Sequence, residues 1–445
     1  MIKMSRAIRC ATVRMRRRGR ELHRSSLIRE GSWMSGLNII AKAANFFGNA
    51  FAARCVGAEN FGIAGVVSIW AVQSALLFHG GLDAVAAREI AATPKRTDEV
   101  VVAVVGFRVS IFLLLAIVWA AVSLWVVPSE HWHVWQLGLV LMLSSALNLT
   151  FLFQALNALP IWNMLVAAAS LISSAIFFCF SPPMPLGSEL CVAAGMNLLA
   201  TTSSWIVARK KSIIGSINVV YAWREKWNRH IRTLTHLFRT SWRYWLIAIA
   251  QYTSTGLQFL IVSEHAVGTD VGAYRSAMVL SSTLDVLLSV FYNLLLPRFI
   301  AWHKQGDAVF LAQRRKTLIL FLLIGTAGCG TLIGGSGLIY HHLFGADFAS
   351  GQNALVLLTI AKGANFLGQI YAYTLIIHRR DAEVMKSCVL GSVASVLIGL
   401  TFVPQYGIIA AAVATVVGEG MVTLGHVAFD TIQRRRKQNV VIENQ

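Results

Sequence analysis

The sequence predicts an all-α polytopic membrane protein, with about twelve transmembrane helices arranged as two six-helix lobes around a central cavity. Three observations support this fold class. Of the 445 residues, 56% are hydrophobic and only 13% are charged, whereas about a quarter of a soluble domain is charged. Long apolar runs recur along the chain, and basic residues accumulate in alternate segments between them. The composition excludes a water-soluble fold.

Each apolar run is long enough for one membrane crossing, which takes about 20 residues of helix. Charges, Pro or Gly separate the runs from one another. The predicted spans are 34–53, 61–82, 100–127, 134–153, 161–180, 189–208, 242–263, 273–296, 317–340, 352–377, 386–403 and 407–429. Between the fifth and the sixth span, the segment from Ser181 to Pro185 is the only strong helix breaker.

The basic residues test this number of spans. The chain has 39 Lys and Arg against 20 Asp and Glu, a formal net charge of +19. With both termini in the cytoplasm, 34 of the 39 basic residues lie in or beside cytoplasmic segments, and only Arg54 and Arg275 lie on the outer side. This is the positive-inside asymmetry, and one missed span would destroy it. The charge therefore indicates topology, and no nucleic-acid partner is expected.

The charge pattern also divides the chain into domains. The predicted parts are a basic cytoplasmic extension (1–33), an N-terminal six-helix lobe (34–208), a basic amphipathic cytoplasmic linker (209–241), a C-terminal six-helix lobe (242–429) and a basic cytoplasmic tail (430–445). The outer loops are short, which leaves little room for the catalytic groups of a membrane enzyme. The six cysteines lack ligand or redox spacing. We therefore expect no catalytic residue, metal site or cofactor.

A short motif recurs once in each predicted lobe. The first span is followed by Gly57-Ala58-Glu59-Asn60-Phe61-Gly62, and the seventh by Gly268-Thr269-Asp270-Val271-Gly272. Both place a Gly, an acid and a Gly at the entry of the next helix. With six spans on each side of the linker, this repeat favours a duplication in which two similar bundles flank a substrate path.

Further segments complete the pattern of a known family in the right order, from about residue 33 onwards. They are Ala53 to Gly62, Gly80 to Asp83, Ala87 to Ala91, Val271 to Ala277, Leu296 to Arg298, Phe344 to Phe348 and Tyr406 to Thr415. This set resembles the polysaccharide biosynthesis or Wzx-type oligosaccharide flippase family of the multidrug/oligosaccharidyl-lipid/polysaccharide exporter superfamily. Where many relatives have an Asp in the seventh span, this chain has Gln258.

The resemblance implies a transporter and not an enzyme. Its expected substrate is an undecaprenyl-pyrophosphate-linked oligosaccharide, moved by alternating access across the bacterial inner membrane for O-antigen, capsule or exopolysaccharide synthesis. The implied partners are this lipid-linked oligosaccharide, membrane lipids, a polysaccharide polymerase and a chain-length regulator. Two alternatives stay open: a small-molecule or drug antiporter of the same superfamily, and a membrane polysaccharide polymerase or ligase, which the short outer loops disfavour.

Polar side chains within the spans indicate where such a substrate would pass, because they avoid lipid and face protein or water. Lys42 and Lys362 lie on polar stripes of the first and tenth spans, within the similar segments 40–48 and 360–368. They are the leading candidates to bind a lipid pyrophosphate, whose charges need a cationic path. Arg108 in the third span and Arg54 at the outer mouth are further candidates. Each cation could instead belong to a structural ion pair.

The remaining candidates are amides and acids inside the spans. The amides expected to contact sugar or line the cavity are Asn38, Asn45, Asn49, Gln251, Gln258, Asn365 and Gln369. Asp285 and Glu419 are intramembrane acids, a residue type that frequently couples transport to protons or sodium. For these two acids, pairing with a lysine is the alternative.

Overall fold

The computed structural model describes residues 36, 39–79, 81–156, 158–179, 183–210, 227–285, 295 and 298–443. Within these ranges the regular structure is helical throughout. Several sequence expectations concern residues outside them. These are the basic extension 1–33, Asn38, much of the linker 209–241 and the end of the eighth predicted span.

The longer helices are numbered along the chain. They are α1 (39–56), α2 (Ala58–His79), α3 (Leu82–Ala92), α4 (Thr97–Val126), α5 (Trp132–Ala146), α6 (Thr150–Ala155), α7 (Leu159–Cys179), α8 (Ser188–Lys210), α9 (Trp227–His265), α10 (Gly268–Ser282), α11 (Asp307–Ile339), α12 (Gly351–Ile377) and α13 (Asp381–Glu443). A short helical stretch, 298–304, precedes α11.

Nine helical segments of the described chain are long and apolar enough to cross a membrane. The last of them, Asp381–Arg435, is longer than one crossing needs. Gly407, with φ 57° and ψ −140°, breaks the helix inside it, three residues after Pro404. The break separates the eleventh predicted span from the twelfth. A multi-pass helical membrane protein is thereby confirmed, while the arrangement of twelve spans as two sets of six stays a prediction.

The second part of the predicted linker is continuous with the seventh span, since α9 runs for 39 residues without interruption. Leu234 and Leu237 are three residues apart on one helical face, and both are buried. On the same side, Thr233 Oγ1 donates a hydrogen bond to Glu99 Oε1 at 2.7 Å. These contacts attach the start of α9 to the start of α4, so that residues 227–241 pack against the N-terminal half.

The two copies of the Gly-acid-Gly motif lie against each other where α2 meets α10. A Cβ placed on Gly62 would lie 2.9 Å from the amide nitrogen of Gly272, and a Cβ on Gly272 would overlap the carbonyl oxygen of Ala58. Only glycine permits this approach of two backbones, as in other close helix pairs of membrane proteins. The repeat therefore marks a contact between the two halves.

A buried ion pair closes the same interface. Arg275 of α10 donates to both carboxylate oxygens of Glu189 in α8, at 2.5 and 2.9 Å. It also donates to the carbonyl oxygen of Phe61, and its guanidinium lies 4.0 Å from the centroid of the Phe61 ring. Both charged side chains are only about one-tenth exposed. Sequence analysis identified Arg275 only as an outer-side charge; the structure shows that it joins the two halves.

Candidate functional site

The C-terminal half contains a polar network built on one face of α12. Lys362 Nζ donates to both oxygens of Asp285, at 3.0 and 2.8 Å. The two side chains keep 25% and 42% of their surface exposed, so this ion pair remains open to a small ion or ligand. Asp285 lies just beyond the end of α10. The charge of Lys362 is therefore matched by an acid from a neighbouring helix.

The network continues along α12. Asn365 Nδ2 donates to Glu419 Oε2 at 2.8 Å, and Gln369 Nε2 donates to Asn365 Oδ1 at 3.2 Å. The spacing 362, 365 and 369 places the three α12 side chains on one helical face. Glu419 of α13 also interacts electrostatically with Lys362 and Asp285. We call Asp285, Lys362, Asn365, Gln369 and Glu419 the C-terminal network.

The N-terminal half instead contains an uncharged polar cavity of about 170 Å³ between α1, α5, α7 and α8. Hydroxyls, amides and one indole supply its polar lining. These side chains are Asn45, Ser144, Ser145, Asn148, Trp162, Ser170, Ser173, Asn197 and Thr201. We call this space the N-terminal cavity. The described residues that line it include no Lys, Arg, Asp or Glu, so it suits neutral groups that both donate and accept hydrogen bonds.

Lys42 lies beside this cavity on α1. It is exposed and stands three residues before Asn45, so the two side chains are neighbours on the helix surface. Lys42 makes no hydrogen bond or ion pair to any residue within the described ranges. One turn further on, Asn49 Nδ2 donates to the backbone oxygen of Asn45 at 2.7 Å. Among the described residues, the first polar stripe thus carries a cation without an ionic partner next to an uncharged cavity.

Arg108 lines neither site and is fully buried. Its guanidinium donates to the carboxylate of Asp83, at the start of α3, and to the carbonyl oxygen of Asn148 at 3.0 Å. His79 Nδ1 lies 3.0 Å from the other Asp83 oxygen. Burial opposes ionisation of Asp83, but the charge of Arg108 and the contact with His79 outweigh it and lower its pKa to about 2. The contacts of Arg108 are those of a structural ion pair, the alternative that the sequence left open.

The other predicted residues are dispersed. Arg54, at the end of α1, donates to the carbonyl oxygen of His342 at 3.1 Å and so links the two halves near the outer motif. Gln258 is fully buried, and its Nε2 donates to the backbone oxygen and hydroxyl of Ser395 at 2.7 and 3.0 Å. This amide holds α9 to α13. Gln251 is half-buried on α9.

Comparison with known proteins assigns the family. Residues 27–303 match the family model described as polysaccharide biosynthesis protein. The chain belongs to this family. The match spans more than half of the sequence, and it confirms the resemblance that the ordered motifs indicated. No curated protein matches the sequence.

Solved transporter structures share the fold of this family member. An inward-facing multidrug resistance MATE family transporter of the MOP superfamily aligns with a TM-score of 0.62 and 12% identity, over 88% of this chain and 96% of the transporter. The lipid II flippase MurJ, in an inward closed conformation, aligns with a TM-score of 0.62 and 14% identity, over 89% and 87%. A MATE transporter from Vibrio cholerae aligns with a TM-score of 0.60 and 15% identity, over 92% and 98%. At these identities, the likeness establishes a MATE and MurJ type of fold.

Proposed function

We propose that this polysaccharide biosynthesis family member is a flippase that moves undecaprenyl-pyrophosphate-linked oligosaccharide from the inner to the outer leaflet of the bacterial inner membrane. Its product would feed O-antigen, capsule or exopolysaccharide synthesis, and both termini would be cytoplasmic. The observation that carries the proposal is Lys42, which has no hydrogen-bond or ion-pair partner among the described residues and lies beside the N-terminal cavity. The family match and the fold shared with a lipid II flippase support it.

The chemistry of the N-terminal half suits the two parts of such a substrate. A pyrophosphate carries two or more negative charges, and a cation about 4 Å from one charge gains about 4 kcal/mol at an effective dielectric constant of about 20. Lys42 supplies that cation without first breaking an ion pair within the described chain. The hydroxyls and amides of the N-terminal cavity match sugar hydroxyls, and Trp162 offers an apolar face to a sugar ring.

Movement of the substrate requires that the cavity open alternately to the two sides. We propose twelve spans in two lobes of six that rock about their interface, with the substrate path between them. The contact of α2 with α10 and the ion pair of Arg275 with Glu189 hold the outer side together in this conformation. Opening outwards would separate these groups, which makes them the outer gate.

The C-terminal network is the proposed coupling site. A proton or sodium ion bound at Asp285 or Glu419 would weaken the hold of Asp285 on Lys362. Lys362 would then become available to an anionic headgroup, so that ion binding and headgroup binding favour each other. The half-exposed ion pair provides access for both.

A drug antiporter is the second candidate function, because two of the three solved structures above are MATE transporters. The half-exposed carboxylate of Asp285 is the observation that favours it, since a cationic drug could replace the ammonium group of Lys362. The uncharged N-terminal cavity and the unmatched Lys42 favour an anionic lipid instead. The enzyme alternative gains nothing from these comparisons, since the solved structures named are transporters and a flippase.

One reconstitution experiment separates the candidates. The purified chain is placed in proteoliposomes with a fluorescent undecaprenyl-pyrophosphate disaccharide, and flipping is followed by quenching with a membrane-impermeant reductant. A parallel assay follows efflux of the cationic dye ethidium. We expect protein-dependent flipping, which Lys42→Ala slows by about a hundredfold and Lys42→Arg preserves. Dye efflux without lipid flipping would overturn the proposal in favour of the antiporter.

A further inference from the structure

The cytoplasmic end of the C-terminal half brings three metal-binding side chains together, away from both sites described above. His303 lies in the helical stretch 298–304, Asp307 is the first residue of α11, and His378 follows the last residue of α12. One ligand atom from each residue lies within 4.8 Å of the other two. We propose that His303, Asp307 and His378 bind a divalent transition-metal ion of the zinc class.

The hydrogen bonding of His378 leaves the correct nitrogen free for a metal. Its Nδ1 lies 2.7 Å from the carbonyl oxygen of Thr374. A carbonyl oxygen only accepts hydrogen bonds, so Nδ1 carries the proton and Nε2 keeps its lone pair. A histidine that ligates a metal is commonly oriented in this way, with its second nitrogen donating to a backbone carbonyl.

The turn between 298–304 and α11 positions the other two ligands. Gly306, with φ 114°, reverses the chain, so that Asp307 returns to the side of His303 four residues earlier. His303 Nδ1 is buried, has no hydrogen-bond partner among the described residues and lies 4.0 Å from Asp307 Oδ1. Two ligand atoms that each lie about 2.1 Å from one zinc ion are separated by somewhat less than this 4.0 Å. A small movement of either side chain would therefore bring both atoms within reach of one ion. A small rotation of His378 would complete the set.

The ligand set and its surroundings favour a borderline transition metal over calcium or magnesium. Two imidazoles and one carboxylate suit zinc, whereas the hard ions prefer oxygen ligands alone. Phe310 packs against both imidazole rings, with centroid distances of 5.8 and 5.9 Å, and so provides an apolar wall. Three protein ligands leave a fourth position for water or another donor.

An access route to the site is also present. A cavity of about 230 Å³ borders Asp307 and His378, and Arg314, Asp430 and Arg434 line it as well. Asp430 accepts from Arg314 at 2.9 Å and lies 3.0 Å from Arg434, so both arginines are already paired with an acid. A bound ion would fasten the stretch 298–304 to the end of α12 and stabilise the cytoplasmic face of this half.

Metal binding to the full-length protein tests the proposal directly. The chain is purified in detergent, its affinity tag is removed, and it is stripped with a chelator and titrated with Co²⁺, whose visible absorption reports histidine ligation. We expect one ion per chain. Removal of either imidazole, by His303→Ala or His378→Ala, should weaken Co²⁺ binding by more than about a hundredfold. Mutation of a residue that only hydrogen-bonds to a metal ligand weakens binding by up to about that factor, and loss of the ligand itself should cost more. Zn²⁺ should displace the Co²⁺. It should raise the melting temperature of the wild-type chain but not that of the two histidine variants.

Two controls keep the result interpretable. His341→Ala removes one of two adjacent histidines on the outer side and should leave the Co²⁺ spectrum unchanged. Asp307→Asn keeps the size of the side chain, and should weaken binding while the metal-free protein melts at the wild-type temperature. Absence of saturable Co²⁺ binding, or undiminished binding in the double variant of His303 and His378, would overturn the proposal.

Discussion

Two helices with nearly the same local sequence hold their lysines in opposite states. Residues 40–45 of α1 are Ile-Ala-Lys-Ala-Ala-Asn, and residues 360–365 of α12 are Ile-Ala-Lys-Gly-Ala-Asn. In α12, Lys362 pairs with Asp285 and Asn365 donates to Glu419. In α1, Lys42 faces no such partner among the described residues, and Asn45 lines an uncharged cavity. Whether each lysine has an acidic partner is therefore determined by the helices that pack around it, and not by the local sequence of its own helix.

This difference suggests a division of labour. A lysine that is already paired gives up that pair before it binds an anion, whereas an unmatched lysine pays no such cost and attracts the anion outright. Under the proposed function, the N-terminal half would bind the headgroup and sugar, and the C-terminal half would bind a cation that competes with Lys362. The predictions below test this asymmetry.

The largest effect should separate the two lysines in flipping. Lys42→Ala should lower the rate of lipid-linked oligosaccharide flipping by about a hundredfold, since two or more kcal/mol of headgroup attraction disappear. Lys362→Ala should lower the flipping rate by about tenfold, because the charge of Lys362 is already paired with Asp285. Lys42→Arg, the matched control, should stay near the wild-type rate. Equal losses from the two alanine variants would show that the observed pairing does not govern function.

The next effect concerns Glu189, a buried acid of the N-terminal half whose partner, Arg275, belongs to the other half. Glu189→Gln should strand the charge of Arg275, at a cost of about 3 kcal/mol or more, the range for broken buried pairs. The outer gate should then open more often. We expect faster labelling of an introduced Ala58→Cys by a membrane-impermeant thiol reagent, in a chain without other cysteines. Glu130→Gln, which changes an exposed acid away from this interface, should not alter labelling; equal acceleration by both variants would rule out the gate.

The sequence predicted much of the fold and less of the site, for a physical reason. Hydropathy and basic clusters report how each segment meets lipid and water, and they correctly indicated a multi-pass helical membrane protein. The helical spacing of polar residues shows which face of a helix is polar, but it does not show which residues of other helices face it. Asp285 and Lys362 are 77 residues apart, and Glu189 and Arg275 are 86 apart. Such partners are set by packing alone.

Local spacing carried some signals that sequence analysis did not use. His303 and Asp307 are four residues apart, a spacing that suits shared ligation, whereas His378 is brought to them only by the fold. The continuity of 227–241 with α9 likewise follows from Leu234 and Leu237, whose spacing marks a buried helical face. The abundance of basic residues there favoured a surface linker over this packed helix.

A smaller effect should appear in the stability of the C-terminal network. Asp285→Asn or Lys362→Met alone should destabilise the protein by about 1 kcal/mol, because solvent screens a pair that is partly exposed. The double variant should recover most of this loss, since neither charge is then unmatched. Lys42→Met serves as the control and should leave the melting temperature unchanged. Additive losses in the double variant would contradict the ion pair.

The last effect is confined to low pH and comes from the ion pair of Arg108 with Asp83 in the N-terminal half. The pKa of Asp83 is lowered from 3.8 to about 2, since Arg108 and His79 favour its ionised form over the opposing effect of burial. A carboxyl with a depressed folded-state pKa stabilises the fold above its unfolded pKa, and this contribution is lost as the pH falls from about 4 towards 2. The melting temperature should therefore fall less steeply over this range in Asp83→Asn than in the wild type. Asp98→Asn, an exposed acid at the start of α4, should retain the wild-type slope. An unchanged slope in Asp83→Asn would mean that Arg108 is not committed to this pair, and would return it to the candidates for headgroup binding in the N-terminal half.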